Sequence, residues 1–225
     1  PIAVSSVHGH GTGDLLDECF KFIDFDKEDE YDEDTVKVAI IGKPNVGKSS
    51  LVNRIAGEER VIVSNVAGTT RDATDTEVEN QYGKFVLIDT AGIRRKSRVD
   101  DNVEKYSVLR SYMAVDRSDV CVIMIDATEG FTEQDSKVAG YAHEQGKACV
   151  IAVNKWDAVE KDGNTMNKFQ KELEVDFSFM SYAPIVFISA LTGQRIDKLF
   201  EQIVSTHEQN CRRISTGMLN DMLSY

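Results

Sequence analysis

From residue 36 onward, short apolar runs alternate with longer stretches of helical periodicity. Strand-like runs occur at 36–41 (VKVAII), 85–88 (FVLI), 119–125 (DVCVIMI), 148–153 (ACVIAV) and 184–188 (PIVFI). A more polar, alternating stretch at 73–82 (ATDTEVENQY) reads as an edge strand. Strands interleaved with helices predict an α/β fold of three layers, α/β/α. Its sheet should be mostly parallel, with one antiparallel edge strand. Ligands of such sheets bind beyond the carboxyl ends of the strands.

Two segments outside this pattern suggest further organisation. Residues 1–16 (PIAVSSVHGHGTGDLL) resemble residues 184–200 (PIVFISALTGQRIDKLF): a short strand, a Ser-containing turn with Gly, then an Asp-led amphipathic helix. The expectation is a tandem protein in which residues 1–23 are the tail of an upstream copy, the alternative being a chance likeness. Residues 24–34 (DFDKEDEYDED) hold eight acids and one base. Such a run repels itself and reads as a solvated linker, with an acidic interaction motif as the alternative. Residues 35–209 form the expected main domain, and 210–225 the start of another.

Composition narrows the classes of function. With 26 Lys and Arg against 38 Asp and Glu, the net charge of −12 argues against nonspecific nucleic-acid or membrane binding by the segment as a whole. No run approaches 18 consecutive apolar residues, so no membrane partner is expected. The start, Pro1 to Val4, has no signal-peptide character and no initiator Met, which suggests a piece of a longer chain. The four cysteines include no CxxC pair. Cys121 and Cys149 lie inside apolar runs and read as small buried hydrophobes, which fits reduced, cytoplasmic thiols. His8, His10, His143 and His207 show no zinc spacing and read as surface residues, while Phe177, Phe179 and Met180 read as helix packing.

The candidate chemistry falls at strand ends. Residues 42–49, GKPNVGKS, fit the pattern GxxxxGK followed by Ser or Thr, between a strand and a helical run at 50–57. The pattern predicts a phosphate loop of the kind P-loop NTPases carry. Gly42 and Gly47 let the backbone curl, so that N–H groups of Lys43, Asn45, Val46, Lys48, Ser49 and Ser50 surround phosphate oxygens at a helix N-terminus, with Pro44, which has no N–H, as part of the loop wall. Lys48 can bridge β- and γ-phosphates, and the Ser49 hydroxyl can ligate Mg²⁺. After the strand at 85–88 come Asp89, Thr90, Ala91 and Gly92. The aspartate is positioned for the Mg²⁺ shell and the Gly92 N–H for the γ-phosphate. Between these motifs lie Thr69 and Thr70. Thr70 is favoured as a switch residue closing on Mg²⁺ and Thr69 is the alternative. The strand at 148–153 ends in Asn154, Lys155, Trp156 and Asp157. A carboxylate at 157 can accept from guanine N1–H and the 2-amine together, a contact that adenine does not return. Asn154 can tie the base to neighbouring loops, and the Lys155 stem can lie along its face. A main-chain N–H of Ser189, Ala190 or Leu191 can meet guanine O6. The motifs thus point to GTP and GDP as ligands.

This set of motifs, GKPNVGKS, GTTRD, DTAG, NKWD and SAL, resembles the translation-factor-related GTPases, in particular the Der or EngA family of tandem-GTPase ribosome-assembly proteins. The resemblance covers about 36–209. It implies GTP hydrolysis and a bacterial cytoplasmic protein acting on the large ribosomal subunit or its RNA through neighbouring segments. It also makes residues 213–223 the opening of a KH-like domain, and other domains of the same polypeptide become partners. Where Ras-type GTPases place a water-orienting Gln after DTAG, this chain has Ile93, which cannot position a nucleophile. In related GTPases with that substitution, the loop asparagine helps bind K⁺, so Asn45 is the candidate K⁺ ligand, the alternative being that it only shapes the loop. Lys48, Asn45, Thr70 and Gly92 are therefore the candidate catalytic groups. Asp72 can orient water or act structurally. Arg94, Arg95, Lys96 and Arg98 form a basic cluster that is either a solvated loop or a nucleotide-controlled contact for RNA or a neighbouring domain. Two further classes stay open: a regulatory guanine-nucleotide-binding module with little hydrolysis, and an ATP-using phosphotransferase, which NKWD disfavours.

Overall fold

The apolar runs become strands and the periodic stretches helices. Their order is β1 (Thr35–Ile41), α1 (Lys48–Ala56), β2 (Ile62–Ser64), β3 (Thr76–Asn80), β4 (Gly83–Ile88), α2 (Glu104–Arg117), β5 (Val120–Asp126), α3 (Glu133–Glu144), β6 (Ala148–Asn154), α4 (Thr165–Asp176), β7 (Ile185–Phe187), α5 (Ile196–Asn210) and α6 (Thr216–Leu223). The computed structural model describes residues 11, 13, 15, 18, 31, 32, 34–57, 62–64, 75–90, 93 and 104–223. The chain divides into two units, Pro1–Glu33 and Asp34–Tyr225. Within the first, Leu15 N–H donates to Gly11 O at 3.1 Å, one turn of the expected helix.

The second unit is built on a seven-stranded sheet of order β2-β3-β4-β1-β5-β6-β7. β4, β1, β5, β6 and β7 pair in parallel, and β3 runs opposite to both β2 and β4. One antiparallel strand in a mostly parallel sheet is what the pattern predicts. Its expected place at the edge is corrected, however: the three-residue β2 pairs along its outer side.

Burial explains the layering. β5 and β6 are buried at all seven positions each, as a parallel sheet covered on both faces requires. Alternate side chains serve opposite faces. Val36, Val38 and Ile40 join a core with Leu51, Val52 and Ile55 of α1 and Leu199, Phe200 and Ile203 of α5. α2 and α3 pack on each other and on β1, β5 and β6. Full burial of each such side chain is worth about 1.5–3 kcal/mol. Cys121 and Cys149 are buried register partners on β5 and β6, as their apolar setting predicts. Phe177 and Met180 are also buried after α4, while Phe179 stays partly exposed.

α3 begins with a reciprocal cap. The Thr132 hydroxyl accepts from Asp135 N–H, and the Asp135 carboxylate accepts from Thr132 N–H. This cap fixes the chain leaving the carboxyl end of β5, where the site lies.

Candidate nucleotide-binding site

β1 delivers the chain to Gly42 at the carboxyl edge of the sheet. Gly42 has φ +144°, and a Cβ there would stand 2.6 Å from Met124 O, so the turn out of the sheet requires glycine. Asn45 follows at φ +61° and Gly47 at φ +105°. At Gly47 the Asn154 side chain fills the space a Cβ would take. α1 starts at once with Lys48, so the loop curls around a helix N-terminus, the positive end of the helix dipole. The Lys48 ammonium donates to Gly42 O at 2.6 Å and Lys43 O at 2.7 Å, folded along the loop it belongs to. Val46 is fully buried and pins the loop, whereas Pro44, Asn45 and Ser50 are exposed. Lys43 is buried, with its ammonium 2.8 Å from Glu129 Oε2 and 3.9 Å from Asp135 Oδ2. Burial pushes the Asp135 carboxyl above the usual range, against the pull of Thr132 and Lys43.

At the γ-phosphate end, β4 stops at Ile88 and Asp89 takes φ +53°. Its N–H donates to Asp75 Oδ1 at 2.8 Å, while Arg117 at the end of α2 donates to Asp75 Oδ2 at 2.6 Å. The hydroxyls of Thr76 and Thr90 are bonded at 2.6 Å in a buried position. Ile93 N–H reaches Asp89 O at 3.3 Å, and the Ser49 hydroxyl donates to Ile93 O at 2.6 Å. The Ile93 side chain packs against the core. A hydroxyl at Ser49 and a carboxylate at Asp89 are the hard oxygen donors that suit Mg²⁺, so the residues present fit that ion. Thr69, Thr70, Asp72, Ala91, Gly92 and the basic cluster at 94–98 lie outside the described residues.

The base end is built on β6. Asn154 is 2% exposed. Its Nδ2 donates to Val46 O at 2.7 Å, and its Oδ1 accepts from Ala190 N–H at 2.9 Å. One side chain therefore joins the phosphate loop to the loop after β7. The Ala190 N–H, one of the amides expected to meet guanine O6, is engaged by Asn154. Lys155, at φ +61°, makes an ion pair with Asp126 at the end of β5, which fixes its stem. Burial raises the Asp126 pKa, but hydrogen bonds from Lys155 and Thr128 outweigh it and hold the carboxyl below the usual range. Trp156 is buried, its N–H on Ile188 O at 3.1 Å and its ring 4.5 Å from that of Phe187. With Trp156 anchored, the short turn Trp156–Ala158 leaves Asp157 exposed. Ser189 is fully buried and shapes the last loop: its hydroxyl accepts from Thr192 N–H at 3.1 Å and its carbonyl from Gly193 N–H at 2.9 Å. Leu191 is 73% exposed.

Sequence reasoning missed several residues that support these groups. Asp126 carries a usable signal, an acid at the carboxyl end of an apolar strand beside the other motifs. Asp75, Thr76, Arg117 and Arg54 carry none, because their partners are distant in sequence. Arg54, in the last turn of α1, donates through Nε to Ala190 O at 3.4 Å and through Nη2 to Leu191 O.

A phosphate loop between β1 and α1, with an asparagine-led motif at the end of β6 clasping it, defines a P-loop GTPase domain of the three-layer α/β kind. The family model described as 50S ribosome-binding GTPase matches residues 37–155, and the chain belongs to that family. It is 60% identical over 223 residues to the GTPase Der of Acetivibrio thermocellus, a match covering 99% of this chain and 51% of the relative. It is 58% identical to the GTPase Der of Alkaliphilus oremlandii, over 99% and 51% respectively. The chain thus spans about half the length of the curated relatives it matches. Among solved structures, a point variant of Aquifex aeolicus Era bound to GDP and AlF4⁻ is similar at TM-score 0.58 and 30% identity, covering 77% of this chain and 57% of Era. Era in complex with MgGDPNP and nucleotides 1506–1542 of 16S ribosomal RNA is similar at TM-score 0.58 and 29% identity, over the same shares. Among the described residues, no helix is long and apolar enough to cross a membrane.

Proposed function

We propose that the chain binds GTP with Mg²⁺, hydrolyses it to GDP and phosphate, and serves as a nucleotide switch in assembly of the large ribosomal subunit. The observation that carries the binding half is the pair of hydrogen bonds made by the Asn154 side chain, one donated to Val46 O and one accepted from Ala190 N–H, which makes the phosphate loop and the base-side loop one unit. The amides of 42–49 and the N-terminus of α1 receive the β- and γ-phosphates. Lys48 exchanges a loop carbonyl for a phosphate oxygen, at little cost because its ammonium is already held in the loop. Asp157 reads guanine N1–H and the 2-amine, while the Lys155 stem, fixed by Asp126, covers one face of the ring. Ser49 and Asp89, with Thr70, would hold Mg²⁺, whose charge offsets that of the phosphates.

Hydrolysis transfers the γ-phosphoryl group to water, breaking its bond to the bridging oxygen and leaving GDP. Ile93 contributes a carbonyl to Ser49 and a side chain to the core, so the attacking water needs another organiser. Asn45, held in the left-handed region at the tip of the loop, is the candidate K⁺ ligand that offsets the transferring charge. The ribosomal role rests on the family and on the Der relatives, with contact to ribosomal RNA and to other domains of the same polypeptide made through neighbouring segments.

One experiment addresses both halves: single-turnover hydrolysis of GTP and XTP by the unaltered chain and by Asp157→Asn, in KCl and in NaCl. Asparagine offers a donor where guanine also offers donors, but xanthine has a carbonyl at that position. The variant should lose about a hundredfold in GTP affinity and gain XTP. The unaltered chain should turn over about tenfold faster in KCl. Unchanged base preference overturns the guanine reading. Absence of turnover in both salts leaves a regulatory binding module.

A further inference from the structure

Arg54 closes a ring around the base side of the site. The phosphate loop is bonded through Val46 O to Asn154, Asn154 to Ala190 N–H, and the carbonyls of Ala190 and Leu191 to Arg54. Arg54 belongs to α1, which starts at the phosphate loop itself. Its guanidinium also covers Gly193, at φ +83°, where a Cβ would stand 3.6 Å from Nε. A Cβ there would only touch the guanidinium, and the cost of a side chain would come from the left-handed backbone.

The direction of these bonds matters. In a planar trans peptide, C=O and N–H point opposite ways. Holding Ala190 O against Arg54 therefore turns the Leu191 N–H away from α1. A guanidinium presents its donors as a rigid fork that reaches two neighbouring carbonyls, which a lysine cannot do. From this geometry we infer that Arg54 is a specificity-determining residue of the base site: with the Ala190 N–H held by Asn154, it pins residues 190–191 so that the Leu191 main-chain N–H faces the 6-oxo oxygen of guanine. Arg54 does not touch the base. It is a positioning residue, and the inference rests on the guanine-nucleotide reading above.

The test measures dissociation constants of the full chain and Arg54→Met for GDP, 6-thioguanosine diphosphate and inosine diphosphate. The thio analogue weakens only the acceptor at position 6, and the inosine nucleotide lacks only the 2-amine read by Asp157. Arg54→Met should reduce the preference for GDP over the thio analogue about fivefold and leave the preference for GDP over inosine diphosphate unchanged. Arg54→Lys should recover part of the loss. An unmoved thio ratio, or an equal fall in both ratios, overturns the inference. Should Arg54→Met not fold, Arg54→Gln replaces it and must lower the thio ratio by at least about threefold, or the inference falls. An unaltered chain that does not prefer GDP to ADP removes the functional reading itself, whereas an intact preference with unmoved ratios removes only the role of Arg54.

Discussion

At the base end of the site, β6 is buried over its whole length and lies between β5 and β7, so main-chain ladders on both sides fix where Asn154 emerges. At the sensor end, β4 has four buried residues, and what positions Asp89 beyond it includes two side-chain links, Asp75 to its N–H and Thr76 to Thr90. The neighbours differ as well. β5 is buried at every position, whereas β3 alternates, with Thr76 and Val78 buried and Glu79 exposed. The base reader thus stands on a fully covered parallel ladder. The proposed sensor is tethered by polar side chains of Asp75, just before β3, and Thr76, its first residue, on a strand that exposes Glu79. The switch proposed above needs one end that holds the ligand constantly and one whose contacts can be exchanged, and the difference between a two-sided main-chain ladder and side-chain links supports that proposal.

The largest expected effect lies at the base end. Asn154→Ala removes two buried hydrogen bonds and leaves Val46 O and Ala190 N–H without them. Each loss costs about 1–3 kcal/mol, so GDP affinity should fall about a hundredfold, with a clear drop in the denaturation midpoint. Calorimetric titration and urea unfolding check both, and a variant that binds GDP normally would erase the distinction between the ends. A smaller effect is expected from Asp75→Asn. The amide oxygen can still accept from Asp89 N–H, but Arg117, 34% exposed, loses its buried charged partner. Stability should fall by about 1–2 kcal/mol, while GDP affinity in saturating Mg²⁺ stays within about twofold. The Mg²⁺ concentration needed for half-maximal GDP retention should rise, and titrating Mg²⁺ against nucleotide release measures it.

The smallest effect concerns pH. The folded-state pKa of Asp126 lies below its unfolded value, because the hydrogen bonds from Lys155 and Thr128 outweigh burial. Its contribution to stability is therefore complete above the ordinary carboxylate range and is lost as pH falls through the depressed folded value. Urea midpoints followed from about pH 6 to pH 3 should fall less steeply in Asp126→Asn than in the unaltered chain. Parallel curves would mean that the Lys155 pair adds nothing to the base end.

The sequence pattern showed the base end better than the sensor end, for a physical reason. GKPNVGKS and NKWD are local strings whose geometry depends on nearby glycines and strand ends, and in the structure Lys48 bonds to Gly42 O while Asn154 bonds to Val46 O and lies against Gly47. The pairs Asp75 with Arg117 and Arg54 with Leu191 join residues 42 and 137 positions apart, and only the order of strands in the sheet brings them together. The three-residue β2 is too short for alternation to be visible, which is why β3 reads as the edge. The engagement of Ala190 N–H by Asn154 was equally hidden, since nothing in SAL reveals which amide is already taken.

α1 joins the two ends as a single rigid body, from Lys48 at its first residue to Arg54 in its last turn. Lengthening it by one residue would advance everything beyond by about 1.5 Å and swing it about 100° around the axis, carrying the arginine away from its carbonyls. The stretch 48–54 therefore acts as a calliper that fixes the spacing between the phosphate loop and the loop after β7. Insertions and deletions should be excluded there over evolutionary time, while exposed turns such as 160–164 can change length without loss.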